Sequence, residues 1–219
     1  MKMKVKFVYK GPKTAHVQME SEWIEEKAVD ILLADMQKTG RCSEMIIVDE
    51  MDREWTRKEY EKLKQKNELA PRNPKLYFDG GFDLQTRVSG IGVVIYYEKG
   101  DERYRYRFNA KLDELESNNE AEYAALYNGL LLLEEIDIHH MPCVIRGDSQ
   151  GVLMQLAGEW PCYEPALNRW LDRMEAKIQE LGIKPSYEVI SRKENKEADK
   201  LASQALANTI VQSHAKIDE

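Results

Sequence analysis

The chain has 219 residues, of which 42% are hydrophobic and 32% are charged. This composition excludes an intrinsically disordered chain, because enough apolar surface is present to form a buried core. The 39 acidic residues outnumber the 32 basic ones, and the net charge of −7 argues against a sequence-independent, high-affinity nucleic-acid binder. An enzyme that meets a phosphate backbone through a local basic patch and metal ions is compatible with this charge.

The cysteine, N-terminal and hydropathy patterns favour a cytosolic, hence cytoplasmic, protein. Three widely spaced cysteines without a CxxC pair indicate neither a zinc site nor a disulfide framework, which fits a reducing compartment. The first seven residues alternate lysine with apolar residues and lack the continuous apolar core of a signal peptide. The longest aliphatic run, Leu130–Leu133, is too short to span a bilayer, so no membrane partner is expected.

A polar segment with two prolines, residues 67–74, is typical of a linker. Residues 1–74 hold 15 basic and 14 acidic residues, whereas the remainder holds 17 basic and 25 acidic residues. We therefore predict two folding units with different surfaces. They are a small α+β domain over residues 1–70 and a larger domain over residues 74–208, followed by a C-terminal tail over residues 209–219.

The first unit has the pattern of a ββαβα domain. Thr56 followed by Glu59 predicts a capping box at the start of its second helix. Lys58, Lys62 and Lys66 share one face of that helix, since they are spaced four residues apart. Two roles stay open for this unit, namely salt-dependent contact with nucleic-acid phosphates and docking of a protein. An ordinary solvated helix face explains the lysines without either role.

The second unit begins with a predicted antiparallel meander and continues with helix-linked strands, which together predict a mixed α/β sheet. Strands are predicted at 75–79, 91–97, 103–108, 143–148 and 187–190, and helices at about 119–135, 149–157, about 165–181 and after 195. In the third strand Arg103, Arg105 and Arg107 alternate with aromatic residues. Protection of an edge strand by charges explains this row without a function.

Four acidic residues lie at the ends of predicted elements, namely Asp79, Glu122, Asp148 and Asp199. The carboxyl ends of parallel strands converge at one edge of a sheet, where ligands bind. Clustered carboxylates raise each other's pKa, and oxygen-only ligands suit Mg²⁺ or Mn²⁺. Two such ions about 4 Å apart stabilise both oxygens of an in-line phosphoryl displacement. A helix cap or a surface charge explains each acid singly, but the ordered set of four favours a shared site.

Five motifs in order resemble type 1 ribonuclease H. They are Tyr77-Phe-Asp-Gly-Gly, Gly90-Ile-Gly-Val-Val-Ile, Ser117-Asn-Asn-Glu-Ala-Glu-Tyr, Gly147-Asp-Ser-Gln and Glu194-Asn-Lys-Glu-Ala-Asp-Lys-Leu-Ala. The resemblance covers about residues 74–208 and is closest to the compact branch without a lysine-rich protrusion, similar to the domain appended to reverse transcriptases. It implies a five-stranded sheet of order 3-2-1-4-5 with helices on both faces.

This resemblance also implies an activity. It is that of a metal-dependent endoribonuclease, which hydrolyses the RNA strand of RNA/DNA hybrids by two-metal-ion catalysis and leaves 5′-phosphate ends. The implied cofactor is a pair of Mg²⁺ ions, for which Mn²⁺ can substitute. The implied partner is the RNA/DNA hybrid, and the sequence carries no signal for an oligomeric state.

The residues implied to act are carried over from the same motifs. The catalytic metal ligands would be Asp79, Glu122, Asp148 and Asp199. The family's glutamate follows the second Asn by three residues, which selects Glu122 over Glu120; positions i and i+2 lie about 200° apart around a helix. Substrate contacts are implied at Gly80, Ser117, Asn118, Asn119, Gln150 and Arg192, with Ser117 on a phosphate of the DNA strand and the three amides in the minor groove.

Three departures from the family keep other hypotheses open. Arg192 lies in the loop where many relatives carry a histidine, and it either binds the scissile phosphate or is a solvated loop cation. Residues 82–89 replace the usual Asn-Pro-Gly-Pro segment, and residues 158–165 carry no basic protrusion. One alternative is a catalytically weak or inactive nucleic-acid-binding or regulatory protein of the same fold. Another is a nuclease of this fold with a different substrate.

Overall fold

The computed structural model describes residues 2–13 and 15–217, and the chain divides into two compact units, Met1–Leu69 and Ala70–Glu219. We call these the N-terminal unit and the C-terminal unit. Each is built around its own hydrophobic core. Among the described residues, none of the helices combines the length and the apolarity that crossing a bilayer would take.

The N-terminal unit is an antiparallel sheet with two helices packed against one face. Its elements are β1 (Lys2–Tyr9), β2 (Val17–Glu20), β3 (Ile24–Glu25), α1 (Glu26–Thr39), β4 (Cys42–Asp49), β5 (Glu54–Thr56) and α2 (Arg57–Glu68). The strands pair in the order β2-β1-β4-β5, and β3 pairs with β1. The elements follow the expected ββαβα order with two additional short strands, β3 and β5. The predicted capping box of Thr56 and Glu59 is confirmed at the start of α2.

The C-terminal unit is a mixed α/β fold. Its elements are β6 (Pro71–Asp83), β7 (Val88–Lys99), β8 (Glu102–Leu112), α3 (Asn118–Glu135), β9 (Pro142–Gly147), α4 (Gln150–Leu156), α5 (Pro165–Leu181), β10 (Lys184–Val189), α6 (Lys196–Leu206) and β11 (Gln212–Ile217). The strand order is β10-β9-β6-β7-β8-β11, with β6, β9 and β10 parallel. The predicted order 3-2-1-4-5 is therefore confirmed for the first five strands of the unit.

The sheet has a sixth strand where we predicted a C-terminal tail over residues 209–219. Residues 212–217 form β11, which pairs antiparallel with β8, whereas residues 218 and 219 lie outside the described residues. A short polar strand on an edge has little hydrophobic periodicity, which is why the sequence pattern missed it. The prediction that Arg103, Arg105 and Arg107 protect an edge strand is also wrong, because β8 lies between β7 and β11.

A buried asparagine fixes the entry into β11. Asn109 on β8 donates from Nδ2 to the carbonyl oxygens of Leu201 on α6 and of Thr209, both at 2.9 Å. Its Oδ1 accepts from the backbone N–H of Val211 at 2.6 Å. This buried amide therefore connects the segment before β11 to both the sheet and α6. Its three hydrogen bonds replace those that the amide would make with water if it were exposed.

The sheet is covered by α3 on one face and by α6 on the other, and both helices approach a glycine very closely. A Cβ on Gly80 would lie 2.3 Å from the backbone carbon of Ala121 on α3. A Cβ on Gly92 would lie 2.2 Å from the carbonyl oxygen of Ala198 on α6. These glycines are needed because a side chain would force each helix away from the strands.

We expect Gly92→Ala to destabilise the C-terminal unit by about 1–3 kcal/mol. The added methyl group would lie 2.2 Å from the carbonyl oxygen of Ala198, so α6 would have to shift away from β7. Urea denaturation measures this loss. Gly151→Ala is the matched control, since its Cβ would meet nothing within 4 Å and alanine favours the helix. Equal stability of the two variants would contradict the proposed close packing of α6.

Candidate active site

The four predicted acidic residues line one cavity of about 420 Å³ at the carboxyl edge of the sheet. Asp79 lies on β6, Glu122 in the second turn of α3, Asp148 directly after β9 and Asp199 in the first turn of α6. Four separate segments converge here because β6 and β9 are parallel neighbours and both helices pack beside the sheet. Gly80, Asn118 and Arg192 line the same cavity.

The carboxylate of Glu122 is held against the strand that carries Asp79. The backbone N–H of Gly80 donates to Oε2 of Glu122 at 3.2 Å. This contact is possible because Gly80 has no side chain between β6 and α3. Glu120 points elsewhere, since its carboxylate accepts from the indole N–H of Trp170 at 3.0 Å and from the backbone N–H of Glu116 at 2.9 Å.

Asn195 connects three of the elements that carry the acids. Its side chain is 1% exposed, and Nδ2 donates to Oδ1 of Asp148 at 2.7 Å and to the carbonyl oxygen of Phe78 at 2.9 Å. Phe78 precedes Asp79 on β6, and Asn195 itself begins α6. We predicted Asn195 only as a helix cap, yet its side chain makes no capping hydrogen bond. Its position one helical turn before Asp199 is the sequence signal for this second role.

Arg192 neutralises one of the acids. Its guanidinium donates to Oδ1 of Asp199 from Nε at 3.0 Å and from Nη2 at 2.6 Å. The Arg192 side chain is 79% exposed, so water screens this pair and the guanidinium can move away from it. Asp79 and Asp148 also raise the pKa of Arg192 through their charges, after the hydrogen bond and charge of Asp199.

Two of the acids have strongly raised pKa values. Burial raises the pKa of Glu122 to about 9, and the charges of Asp79 and Asp148 add to this effect. Burial likewise raises the pKa of Asp79 to about 7, with further contributions from Asp148 and Asp199. Carboxylates that repel one another in a buried place are stabilised by any cation that enters between them.

The donor set fits hard divalent cations. Four carboxylates with oxygen-only ligands are the chemistry that Mg²⁺ and Mn²⁺ prefer. Across residues 2–13 and 15–217, no three His, Cys, Asp or Glu side chains already stand close enough together to form a ready-made metal site. Like charges favour separation and Arg192 draws Asp199 to itself, so small rotations of the half-buried Asp148 and Asp199 side chains would be needed for the acids to share a cation.

The remaining predicted residues surround the cavity at different distances. Ser117 begins α3, where its Oγ accepts from the backbone N–H of Glu120 at 3.1 Å. Asn118 accepts from the backbone N–H of Phe82 at 3.2 Å. Asn119 lines a neighbouring cavity of about 170 Å³ between α3, α4 and α5, and the exposed Gln150 begins α4. Ser203, one turn after Asp199, lines the main cavity and was not predicted.

We expect Mn²⁺ to raise the unfolding temperature of the C-terminal unit, by an amount equivalent to about 2.7 kcal/mol at a concentration of 100 Kd. Asp79→Asn should unfold at a higher temperature than the wild type without metal at pH 8, because one buried negative charge is removed, and should respond much less to Mn²⁺. Scanning calorimetry measures both effects. Asp172→Asn, an exposed acid on α5, is the matched control. A full Mn²⁺ response in Asp79→Asn would contradict the metal site.

A protein family and a full-length relative match this chain in sequence. A family model described as reverse transcriptase-like matches residues 77–205. An uncharacterized protein of Bacillus subtilis (strain 168), YpeP, is 40% identical over 219 residues, which cover all of this chain and 96% of that protein.

Solved structures are similar to the C-terminal unit. RNase H1 from the halophilic archaeon Halobacterium salinarum is 28% identical with a TM-score of 0.55, and the match covers 62% of this chain and 98% of that one. LC11-RNase H1, isolated from compost by a metagenomic approach, is 29% identical with a TM-score of 0.55 over 63% of this chain and 97% of that one. A second structure of LC11-RNase H1 is a complex with an RNA/DNA hybrid and matches with a TM-score of 0.54, 29% identity and coverage of 62% and 98%.

Proposed function

This chain belongs to the reverse transcriptase-like family, whose fold here is that of type 1 ribonuclease H, and from that membership we propose that it is a metal-dependent endoribonuclease acting on the RNA strand of RNA/DNA hybrids. The proposal rests chiefly on four carboxylates from β6, α3, the end of β9 and α6 that line one cavity. The hybrid bound to the similar LC11-RNase H1 supports the choice of substrate.

The four acids would act together on the scissile phosphodiester. Asp79 and Asp148 would ligate divalent ions most directly, and Glu122 and Asp199 would complete the ligand set. When bound, a pair of Mg²⁺ or Mn²⁺ ions lowers the pKa of an attacking water and stabilises the charge on the departing oxygen. Hydrolysis would leave a 5′-phosphate on one RNA fragment and a 3′-hydroxyl on the other.

Neighbouring residues would orient this chemistry. Asn195 donates to Oδ1 of Asp148, so the carboxylate is held in one orientation. Gly80 lets β6 approach α3 and holds Glu122 through its N–H. Such preorganisation lowers the cost of assembling charges at the moment of reaction.

The substrate would lie along the first turns of α3 and α4. The hydroxyl of Ser117 already accepts a backbone hydrogen bond, so its own proton is free to be donated to a DNA phosphate. Asn118, Asn119 and Gln150 carry amides that can donate to base edges and 2′-hydroxyls in the minor groove of an A-like hybrid.

Cleavage of an end-labelled RNA/DNA hybrid with Mg²⁺ or Mn²⁺ tests the proposal. We expect the wild type to cut the RNA strand only, and Asp148→Asn to lose more than about 100-fold in rate, beyond the effect typical of outer-shell changes. Asp172→Asn serves as the control of equal charge. Hybrid that is bound but never cut with either ion would instead favour the regulatory alternative, and cutting of double-stranded RNA alone would favour a different substrate.

Arg192 provides a separate test of how the acids are used. We expect Arg192→Ala to lower the rate of hybrid cleavage by roughly tenfold, as for other outer-shell groups, through loss of a phosphate contact. The same change should lower the Mn²⁺ concentration needed for half-maximal thermal stabilisation, because Asp199 loses its competing cation. Lys193→Ala, at the next loop position, is the control. If both variants behaved like the wild type, Arg192 would be a solvated loop cation.

A further inference from the structure

The arginine row of β8 needs an explanation other than edge protection. Arg103, Arg105 and Arg107 lie on an interior strand, paired on both sides. Their side chains lie on the sheet face on which α6 packs. On that face α6 contacts Gly90, Gly92 and Val94 of β7, and Val94 pairs with Arg107. This helix covers the part of the face around Gly90, Gly92 and Val94, and Tyr77 and Tyr96 pack against the edge of that cluster.

Beyond the start of α6, this face of the sheet carries two transverse rows of side chains, of which Val94 alone is buried. Arg146, Tyr77, Val94 and Arg107 lie side by side across β9, β6, β7 and β8. In the next row Lys75 lies beside Tyr96 and Arg105. We call the surface formed by Lys75, Tyr77, Tyr96, Arg103, Arg105 and Arg107, together with Arg146, the open face.

The open face is basic in a unit that is acidic as a whole. It carries five cations, and Lys196 of α6 borders it, against four acids, Glu98, Glu188, Glu194 and Glu197. Arg146 pairs with Glu188 at 2.7 Å, and Arg105 pairs with Glu197 of α6 at 3.1 Å. Arg107 donates to the neutral hydroxyl of Ser213 at 3.0 Å and keeps its charge uncompensated there.

Lys75 adds a further available charge, since its side chain is exposed and makes no ion pair with residues 70–217. Lys75 on β6 and Arg107 on β8 therefore place positive charge at opposite sides of the open face. A surface with this excess is complementary to a polyanion.

Two cavities on the open face share Tyr77 and Tyr96 in their linings, and we call them together the groove. The cavity of about 350 Å³ is also lined by Lys75, Glu98 and Arg103. The cavity of about 310 Å³ extends to Asn195 and is also lined by Glu194, Lys196 and Glu197. Tyr77 and Tyr96 form the shared floor, with ring centroids 5.8 Å apart in an edge-to-face arrangement.

Both tyrosine rings are held in place by their hydroxyl groups. The hydroxyl of Tyr77 accepts from Arg146 at 2.8 Å, and that of Tyr96 donates to Glu197. The rings are half-buried, so part of each ring borders the groove. Fixed aromatic rings flanked by cations form a platform on which unstacked bases can lie while their phosphates meet Arg and Lys.

We propose that the open face binds single-stranded RNA at a second site, separate from the carboxylate cavity. A duplex would offer only phosphates to this surface, because its bases are stacked inside, whereas a single strand can use the tyrosines as well. The choice of RNA rests on the proposed function, since the groove ends at Asn195, whose other contacts reach the carboxylate cavity.

Fluorescence anisotropy with a labelled oligo(U) 12-mer tests this site in the full chain carrying Asp148→Asn, in EDTA, so that binding does not depend on cleavage. We expect binding at low salt, with a slope of log K against log [salt] of about −2 for three phosphate contacts on a single strand. Lys75→Glu should weaken binding at least about fivefold and flatten this slope. Tyr96→Leu should weaken binding by about 5- to 140-fold, which corresponds to the loss of one stacked base.

Matched variants on other surfaces keep the test specific. Arg169→Glu changes the charge equally at an exposed position on α5, and Tyr163→Leu removes an exposed tyrosine from the loop before α5. Both should bind oligo(U) as the parent does, and thermal unfolding checks that every variant is folded. No binding at low salt, or equal weakening by Lys75→Glu and Arg169→Glu, would overturn the inference. Oligo(U) binding by a protein that fails to cut hybrids would refute the proposed function and leave the second site standing.

Discussion

The close approach of two helices to the glycines of β6 and β7 is the constraint on which the rest of the C-terminal unit depends. Gly80 admits the backbone of α3, and Gly92 admits the backbone of α6. Each helix carries one acid, Glu122 or Asp199, into the cavity next to the strand residue Asp79. A single methyl group at either glycine would separate the strands from the helices and enlarge the distance between the acids.

This packing brings together carboxylates that repel one another. The raised pKa values of Asp79 and Glu122 follow from burial first and from neighbouring carboxylates second. Two hydrogen-bond donors partly offset this repulsion: the amide of Asn195 donates to Asp148, and the backbone N–H of Gly80 donates to Glu122. A site assembled against repulsion in this way has a strong electrostatic preference for cations, which is the physical basis of the proposed activity.

The two faces of the same sheet differ in the side chains that they carry. The face towards α3 is apolar and forms the main core. The face towards α6 is apolar only beneath that helix and becomes basic and aromatic beyond it, at Lys75, Tyr96 and the three arginines of β8. The sixth strand makes this possible, because β11 pairs with β8 and leaves its arginine side chains in the interior of a sheet surface instead of at an edge.

Local signals in the amino-acid sequence, namely alternation, turn residues and helix periodicity, were enough to predict the first five strands of the C-terminal unit. Their order in the sheet came from the resemblance to type 1 ribonuclease H. The sequence also singled out Asp79, Glu122, Asp148 and Asp199, because acids at the ends of elements are visible in the chain. The groups that face the acids, the two contacts of Asn195, the pairing of Arg192 with Asp199 and the pairing of β11 became visible only in the folded chain. Those depend on side chains from distant segments meeting across the sheet, and no local pattern records which segments will become neighbours.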